Sequence, residues 1–126
     1  MNRHAAREKA LQILFQLDMN DIPPEQAMEE HPESLEADDY LKGLVKGVAG
    51  HKDAIDQTIV EHLEKWSIDR IASVEKTILR IAIYEMSYRD DIPENVAINE
   101  AVELAHSFGD AKSGRFVNGV LSNIMT

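Results

Sequence analysis

The stretch SVEKTILRIAIYEMSY, residues 73–88, decides the fold. Wound at about 3.6 residues per turn, its apolar side chains Val74, Ile78, Leu79, Ile81, Ala82, Ile83, Tyr84, Met86 and Tyr88 cover most of the circumference. Only a narrow strip of Lys76, Arg80 and Ser87 is plainly polar. A helix that is apolar nearly all round is a central one, packed by neighbours on several sides. Ser73 is a candidate cap. Glu75 falls in the first turn, where a carboxylate suits the helix dipole, and Glu85 has Arg89 four residues on.

Outward from this helix the signal stays helical, and no window holds several turns of strict apolar–polar alternation that would mark a strand. Towards the N-terminus, a helix is expected after the cap Asn2 to about residue 18, with Ala6, Ala10, Ile13, Leu14 and Leu17 on its core stripe. Pro24 can open a short second helix near residues 25–30, which Pro32 stops. Residues 21–39 contain no Lys or Arg and read as a solvated, self-repelling connection, the most mobile part of the chain. A third helix is expected over about 38–49, with Tyr40, Leu41, Leu44, Val45 and Val48 apolar and Gly50 to end it. A fourth spans about 52–65, with Ile55, Ile59 and Leu63 spaced by four, followed by a short turn capped by Ser67 or Asp69. Beyond Pro93, a sixth helix over about 96–108 turns Ala97, Ile98, Ala101, Val102, Leu104, Ala105 and Phe108 inward, and Gly109 closes it. A seventh over about 111–124 carries Phe116, Val117, Val120, Leu121 and Ile124 on one face. Gly114 and Gly119 lie inside it, which points to close backbone approach. The expected architecture is all-α: about seven helices, as two small helical bundles sharing the central apolar helix, within a single domain over residues 1–126.

The composition agrees. With 126 residues, 44% apolar and 29% charged, the chain is long enough to build a core and suits one domain. It has no cysteine, which excludes a disulfide scaffold, a thiol nucleophile and a Cys-based zinc site. No apolar run approaches the roughly 20 residues that span a bilayer, and charges interrupt residues 1–10 where a signal peptide would be apolar, so no membrane role and a cytoplasmic location are expected.

Thirteen Lys and Arg face 23 Asp and Glu, a net charge of −10, which argues against a general nucleic-acid coat. The charge is uneven. Residues 1–20 sum to +1, residues 21–66 to −8 and residues 67–126 to −3. Any RNA contact must be local and geometrically defined.

Catalytic motifs are missing: no G-x-S-x-G, P-loop, G-x-G-x-x-G or H-E-x-x-H occurs. His4, His31, His51, His62 and His106 do not pair at helical ligand spacing, so no metal and no cofactor are expected. Glu100 and Glu103 share a helical face and read as a solvated surface, since nothing buries them to shift a pKa. The chain is therefore expected not to be an enzyme.

The first helix is unusual. Arg3, His4 and Arg7 occupy its first turns, where the dipole disfavours positive charge. On a helical wheel they form a strip with Leu11 and Phe15 beside the core face. Basic groups next to an aromatic suit single-stranded RNA, with phosphates on the charges and a base on the ring. The alternative is that Phe15 and Leu11 pack under the acidic loop while the arginines are merely solvated. From these residues alone the alternative is favoured, because three basic groups are a thin footprint. A second candidate is residues 107–118, where Lys112 and Arg115 flank glycines and Phe116, with Ser113 and Asn118 as hydrogen-bonding groups. Its plainer reading is a tight helix junction.

These residues carry a resemblance. The runs 6–12 (AREKALQ), 74–76 (VEK) with 79–85 (LRIAIYE), Pro93 with 96–105 (VAINEAVELA), and 116–121 (FVNGVL) resemble, in order, the diagnostic stretches of the NusB family of bacterial transcription antitermination factors. Residues 20–66 match poorly. The resemblance implies two three-helix bundles around a shared helix and no enzymatic activity. It implies binding of the boxA element of nascent RNA together with a small-subunit ribosomal protein, NusE, in an RNA polymerase antitermination complex that reads through terminators on ribosomal RNA operons. By position it assigns RNA contact to Arg3, His4, Arg7 and Lys9. It also matches the Phe116 region, with Lys112 and Arg115, to the RNA- and partner-facing surface, along with Glu75, Phe15 and Asn118 as partner contacts. The family often has a second arginine where this chain has His4, which is mostly uncharged near neutral pH at its ordinary pKa. Two other readings stay open. One is a protein-interaction adaptor with little RNA binding of its own. The other is a helical domain of an RNA-modifying enzyme, since similar domains occur fused to RNA methyltransferases; ending at Thr126 without a cofactor-binding segment argues against it.

Overall fold

Arg3 to Asn20 form helix α1, and Asn2 starts it as expected: its backbone is extended and its Oδ1 accepts the Ala5 N–H at 2.8 Å. The computed structural model describes residues 1–30, 38–63 and 67–125, without the side chains of residues 27 and 28. Among these residues there are seven α-helices and no strand: α1, α2 (Pro24–Glu30), α3 (Asp39–Gly50), α4 (Lys52–Glu61), α5 (Ser73–Tyr88), α6 (Glu94–Phe108) and α7 (Ala111–Met125). A 3-10 turn, Ile68–Arg70, precedes α5. The all-α expectation holds, and no described helix is long and apolar enough to cross a membrane.

The chain divides into two compact units, Met1–Gly50 and His51–Thr126. In the first, α1 and α3 pack together and α2 touches both. The predicted stripe of α1 is buried, as are Leu41, Leu44, Val45 and Val48 of α3. Asp21 ends α1 in the left-handed region (φ 50°, ψ 49°), which aspartate tolerates better than most residues, and its N–H donates to the Leu17 carbonyl. Asp38 opens α3 by accepting the Leu41 N–H at 3.0 Å. The acidic side chains of Asp21, Glu25, Glu29, Glu30 and Asp39 are exposed, as a solvated connection requires. Pro32 and the rest of residues 31–37 lie outside the described residues.

In the second unit α5, α6 and α7 pack on one another, and α4 lies against α5. Ile78, Leu79, Ile81, Ala82 and Ile83 of α5 are buried, together with Ala97, Ile98, Ala101, Leu104 and Ala105 of α6 and Val117, Val120 and Leu121 of α7. Two residues of the expected polar strip and arc of α5 are also buried. Arg80 is 6% exposed and Glu85 is 1% exposed. Arg80 forks onto Asp56 of α4, Nε to Oδ1 at 2.7 Å and Nη2 to Oδ2 at 2.8 Å. A bidentate guanidinium–carboxylate pair of this kind fixes orientation as well as charge.

Several expectations are corrected. Helix α4 ends at Glu61, because His62 closes it: the His62 backbone N–H donates to the last carbonyls, and Nδ1 lies 2.8 Å from the Thr58 carbonyl. Leu63 thus lies beyond the helix and is half-buried, and Lys65 falls outside the described residues. Ser73 does not cap α5. It is the first helical residue, and its carbonyl accepts the Thr77 hydroxyl at 2.7 Å. Phe108 stays 38% exposed at the end of α6. Of the two glycines inside α7, only Gly114 marks close approach: a Cβ there would collide with the His106 ring of α6, whereas one on Gly119 meets nothing among the described residues.

Candidate nucleic-acid and partner interface

The candidate residues fall into two groups, one in each unit. In the first unit, Arg3 and Arg7 are one helical turn apart on α1, and both guanidiniums reach Tyr40 in the first turn of α3. The Arg3 Cζ lies 4.7 Å from the ring centroid and the Arg7 Cζ 5.6 Å, both within cation–π range. Their exposures differ sharply. Arg3 is exposed, but Arg7 is 3% exposed. A guanidinium so covered has little surface to give to a phosphate. His4 places Nε2 3.0 Å from Glu8, four residues on, so protonation of His4 would form an ion pair with Glu8. Lys9 and Phe15 are half-buried. Leu11, expected beside the core face, is 2% exposed and belongs to the core.

In the second unit, the 3-10 turn, the first turn of α5 and the start of α7 enclose a cleft of about 370 Å³. Arg70, Ile71, Glu75, Asp110, Lys112, Ser113 and Phe116 line it. The structure thus brings together Glu75, Lys112 and Phe116, which sequence reading had divided between partner and RNA roles. Arg115 and Asn118 are exposed on α7 and are not among the residues lining the cleft.

Local geometry builds this cleft. Asp110 accepts the Ser113 N–H at 2.8 Å and so caps α7. That backbone hydrogen bond, with smaller contributions from the Ser113 hydroxyl and from Lys112, holds the exposed Asp110 carboxyl below the ordinary aspartate pKa. At the junction before it, a Cβ on Gly109 would stand 2.9 Å from the Ala105 carbonyl oxygen, so α6 can turn into α7 here only without a side chain. The result is a half-buried phenyl ring flanked by two cationic and two anionic side chains. Such a site suits a ligand with a flat apolar part and both donors and acceptors, such as an unstacked base or a polar peptide.

Sequence reading missed Tyr40 and Arg70 as site residues. Tyr40 was legible only as an apolar position of α3, and no spacing rule links it to α1. Arg70 lies five residues before Glu75, and only the 3-10 turn brings the two into one cleft.

The fold and these two groups define an all-α protein with a cationic helix start and a separate mixed-charge cleft. The chain belongs to the NusB family, whose sequence profile matches residues 4–126. Among similar proteins, the transcription antitermination protein NusB of Oceanobacillus iheyensis is 63% identical over 125 residues, covering 99% of each chain. That of Bacillus subtilis is 53% identical over 124 residues, covering 98% of this chain and 95% of the relative. Among solved structures, NusB of T. maritima superposes with a TM-score of 0.86 at 35% identity, covering 98% of this chain and 90% of that one. A chain from a crystal structure of antitermination factors NusB and NusE in complex with dsRNA superposes with a TM-score of 0.83 at 32% identity, covering 98% of this chain and 97% of that one.

Proposed function

We propose that this protein is a cytoplasmic RNA-binding antitermination factor that acts with the ribosomal protein NusE. Together they bind boxA RNA of nascent transcripts and join the RNA polymerase complex that reads through ribosomal RNA operons. It works by binding and not by catalysis. The observation that carries this reading is the end-to-end likeness to a chain crystallised as NusB and NusE with RNA. The site chemistry supports it. Arg3 offers an exposed guanidinium for phosphate, Lys9 adds charge nearby in sequence, and Phe116 offers a ring beside Lys112.

The acidic total supports a division of labour. A net charge of −10 limits RNA affinity in the protein alone, while it suits a basic ribosomal protein as partner. Fluorescence titration of a boxA RNA and a scrambled control, at two salt concentrations and with and without NusE, tests this. Sequence-dependent binding that tightens with both proteins present is expected. The burial of Arg7 favours one second reading, an adaptor that contacts NusE but little RNA. NusE binding with no gain in RNA affinity would establish that reading instead.

A further inference from the structure

The cleft of the second unit is lined by two pairs of opposite charges, and the pairs differ. Asp110 accepts the Ser113 N–H, and Lys112 faces its carboxylate. Arg70 and Glu75 line the same cleft, yet neither side chain forms a hydrogen bond or ion pair with any described residue. Glu75 is half-buried, so its carboxylate keeps its acceptor capacity unspent at a partly desolvated place. Arg70 is exposed, and its guanidinium donors are equally uncommitted. Its backbone is nevertheless fixed. The Arg70 N–H donates to the Ser67 carbonyl at 3.0 Å, the Ile71 N–H donates to the Ile68 carbonyl at 3.3 Å, and the buried Ile71 side chain anchors the turn. Glu75 is carried by the first turn of α5. The half-buried Phe116 ring lines the cleft with them, and the volume of about 370 Å³ falls in the range of small-molecule pockets.

We propose that this cleft selects guanine and that Arg70 is the residue that sets the selectivity. The inference deepens the RNA-binding reading and rests on it. An aromatic face takes any unstacked base, so Phe116 alone discriminates little. A fork of guanidinium N–H donors matches the O6 and N7 acceptors of guanine, the commonest specific base contact. A carboxylate accepts from N–H donors, and guanine carries two side by side, N1–H and the N2 amino group, which suit Glu75. Guanine thus presents adjacent acceptors to Arg70 and adjacent donors to Glu75. Adenine and cytosine each set one amino group beside ring acceptors, and uracil has a single ring N–H between two carbonyls. Each of these leaves Arg70 or Glu75 half satisfied, and hydrogen bonds left unmade are what reject the wrong ligand. A lysine at position 70 would keep the charge as a point and lose the fork. Arg70 in this role reads a base edge and adds no phosphate contact.

The test titrates the protein with the 5′-monophosphates of guanosine, adenosine, cytidine and uridine, following the Phe116 ring and Arg70 Nε–H signals by NMR. All four carry the same phosphate, so differences report the base. Guanosine monophosphate is expected to move both signals and to bind at least about fivefold more tightly than the others, the low end for one bidentate base contact. The 7-deaza analogue lacks N7. It is expected to bind the parent several-fold more weakly than guanosine monophosphate, but to bind Arg70→Ala as guanosine monophosphate does. Arg70→Lys is expected to lose the guanine preference as Arg70→Ala does, with far-ultraviolet circular dichroism unchanged in both, since the side chain is exposed. Equal affinities for the four nucleotides, or a 7-deaza penalty that persists in Arg70→Ala, overturn the proposal. So does a cleft whose signals no nucleotide moves but NusE does, which would make it a protein contact. The boxA titration separates this from failure of the RNA reading. Binding of boxA without guanine selectivity would sink the cleft assignment alone. Guanine selectivity without boxA binding, with or without NusE, would sink the RNA reading and leave the cleft as a nucleotide pocket.

Discussion

Arg3 and Arg7 share a residue type and a helix face, yet the structure exposes one and buries the other. Arg7, at 3% exposure, is a packing residue with a charge, so Arg7→Ala removes both a buried aliphatic stem and a partner of Tyr40. The expected cost is about 1–3 kcal/mol of stability, read from denaturant unfolding. Arg3→Ala is expected to leave the unfolding midpoint within about 0.5 kcal/mol of the parent, because exposed substitutions rarely cost more, while weakening RNA binding. Equal stability losses in the two variants would refute this division. Asp110 gives a second residue-scale prediction. Its carboxyl titrates below the ordinary range, because the charged form is the one that accepts the Ser113 N–H. A depressed folded pKa means the group stabilises the native state above its unfolded pKa and loses that contribution as pH falls through the folded one. The melting temperatures of the parent and of Asp110→Asn, which keeps a capping oxygen but does not titrate, are therefore expected to draw together below about pH 4. A gap that stays constant down to pH 2.5 would remove Asp110 from the acid response.

Among the helices, the contact that periodicity could not supply is the fork from Arg80 of α5 to Asp56 of α4, 24 residues apart. Arg80 stood in the narrow polar strip of an otherwise apolar helix, where periodicity names no partner for it. The structure buries Arg80 and pairs it with Asp56 of α4, while Ser87 of the same strip stays exposed. Asp56→Ala is expected to destabilise by about 2–3 kcal/mol, less than for a fully buried pair because Asp56 keeps 24% of its side-chain surface in contact with solvent. A loss below about 0.5 kcal/mol in thermal unfolding would mean that other partners of Arg80 suffice. The same contrast explains what the sequence revealed. Apolar spacing located six of the seven helices, because burial imposes a period on each element separately, and Pro24 pointed to the short α2. Proline and glycine marked the α6 and α7 junctions for steric reasons that act within a few residues. The end of α4 was missed because a histidine, which carries no strong stop signal, closes it. The pairing of Arg3 and Arg7 with Tyr40, and the gathering of Arg70 with Glu75 and Phe116, depend on how elements pack, and no local pattern encodes that.

Across the whole molecule, charge sets how much the protein can do alone. The proposed RNA-contact cations that are exposed or half-buried are Arg3 and Lys9 in the first unit and Lys112 and Arg115 in the second, and Lys112 already faces the Asp110 carboxylate. Each phosphate neutralised on a single strand contributes about −0.7 to the slope of log affinity against log salt, so four contacts limit the slope to about −3. The protein alone is therefore expected to bind boxA RNA with a slope between about −1 and −3. With 23 acidic groups against 13 basic ones, its body also repels RNA that strays beyond these contacts, so affinity alone should be modest at physiological salt. A basic ribosomal partner adds phosphate contacts of its own and neutralises part of the acidic surface, so the complex should show a steeper slope than the protein alone. Titrations at four or five salt concentrations measure both slopes. A slope for the protein alone steeper than about −4 would require cations outside the proposed surface. Identical slopes with and without the partner would mean that it brings no phosphate contacts and acts on RNA affinity, if at all, by ordering this chain.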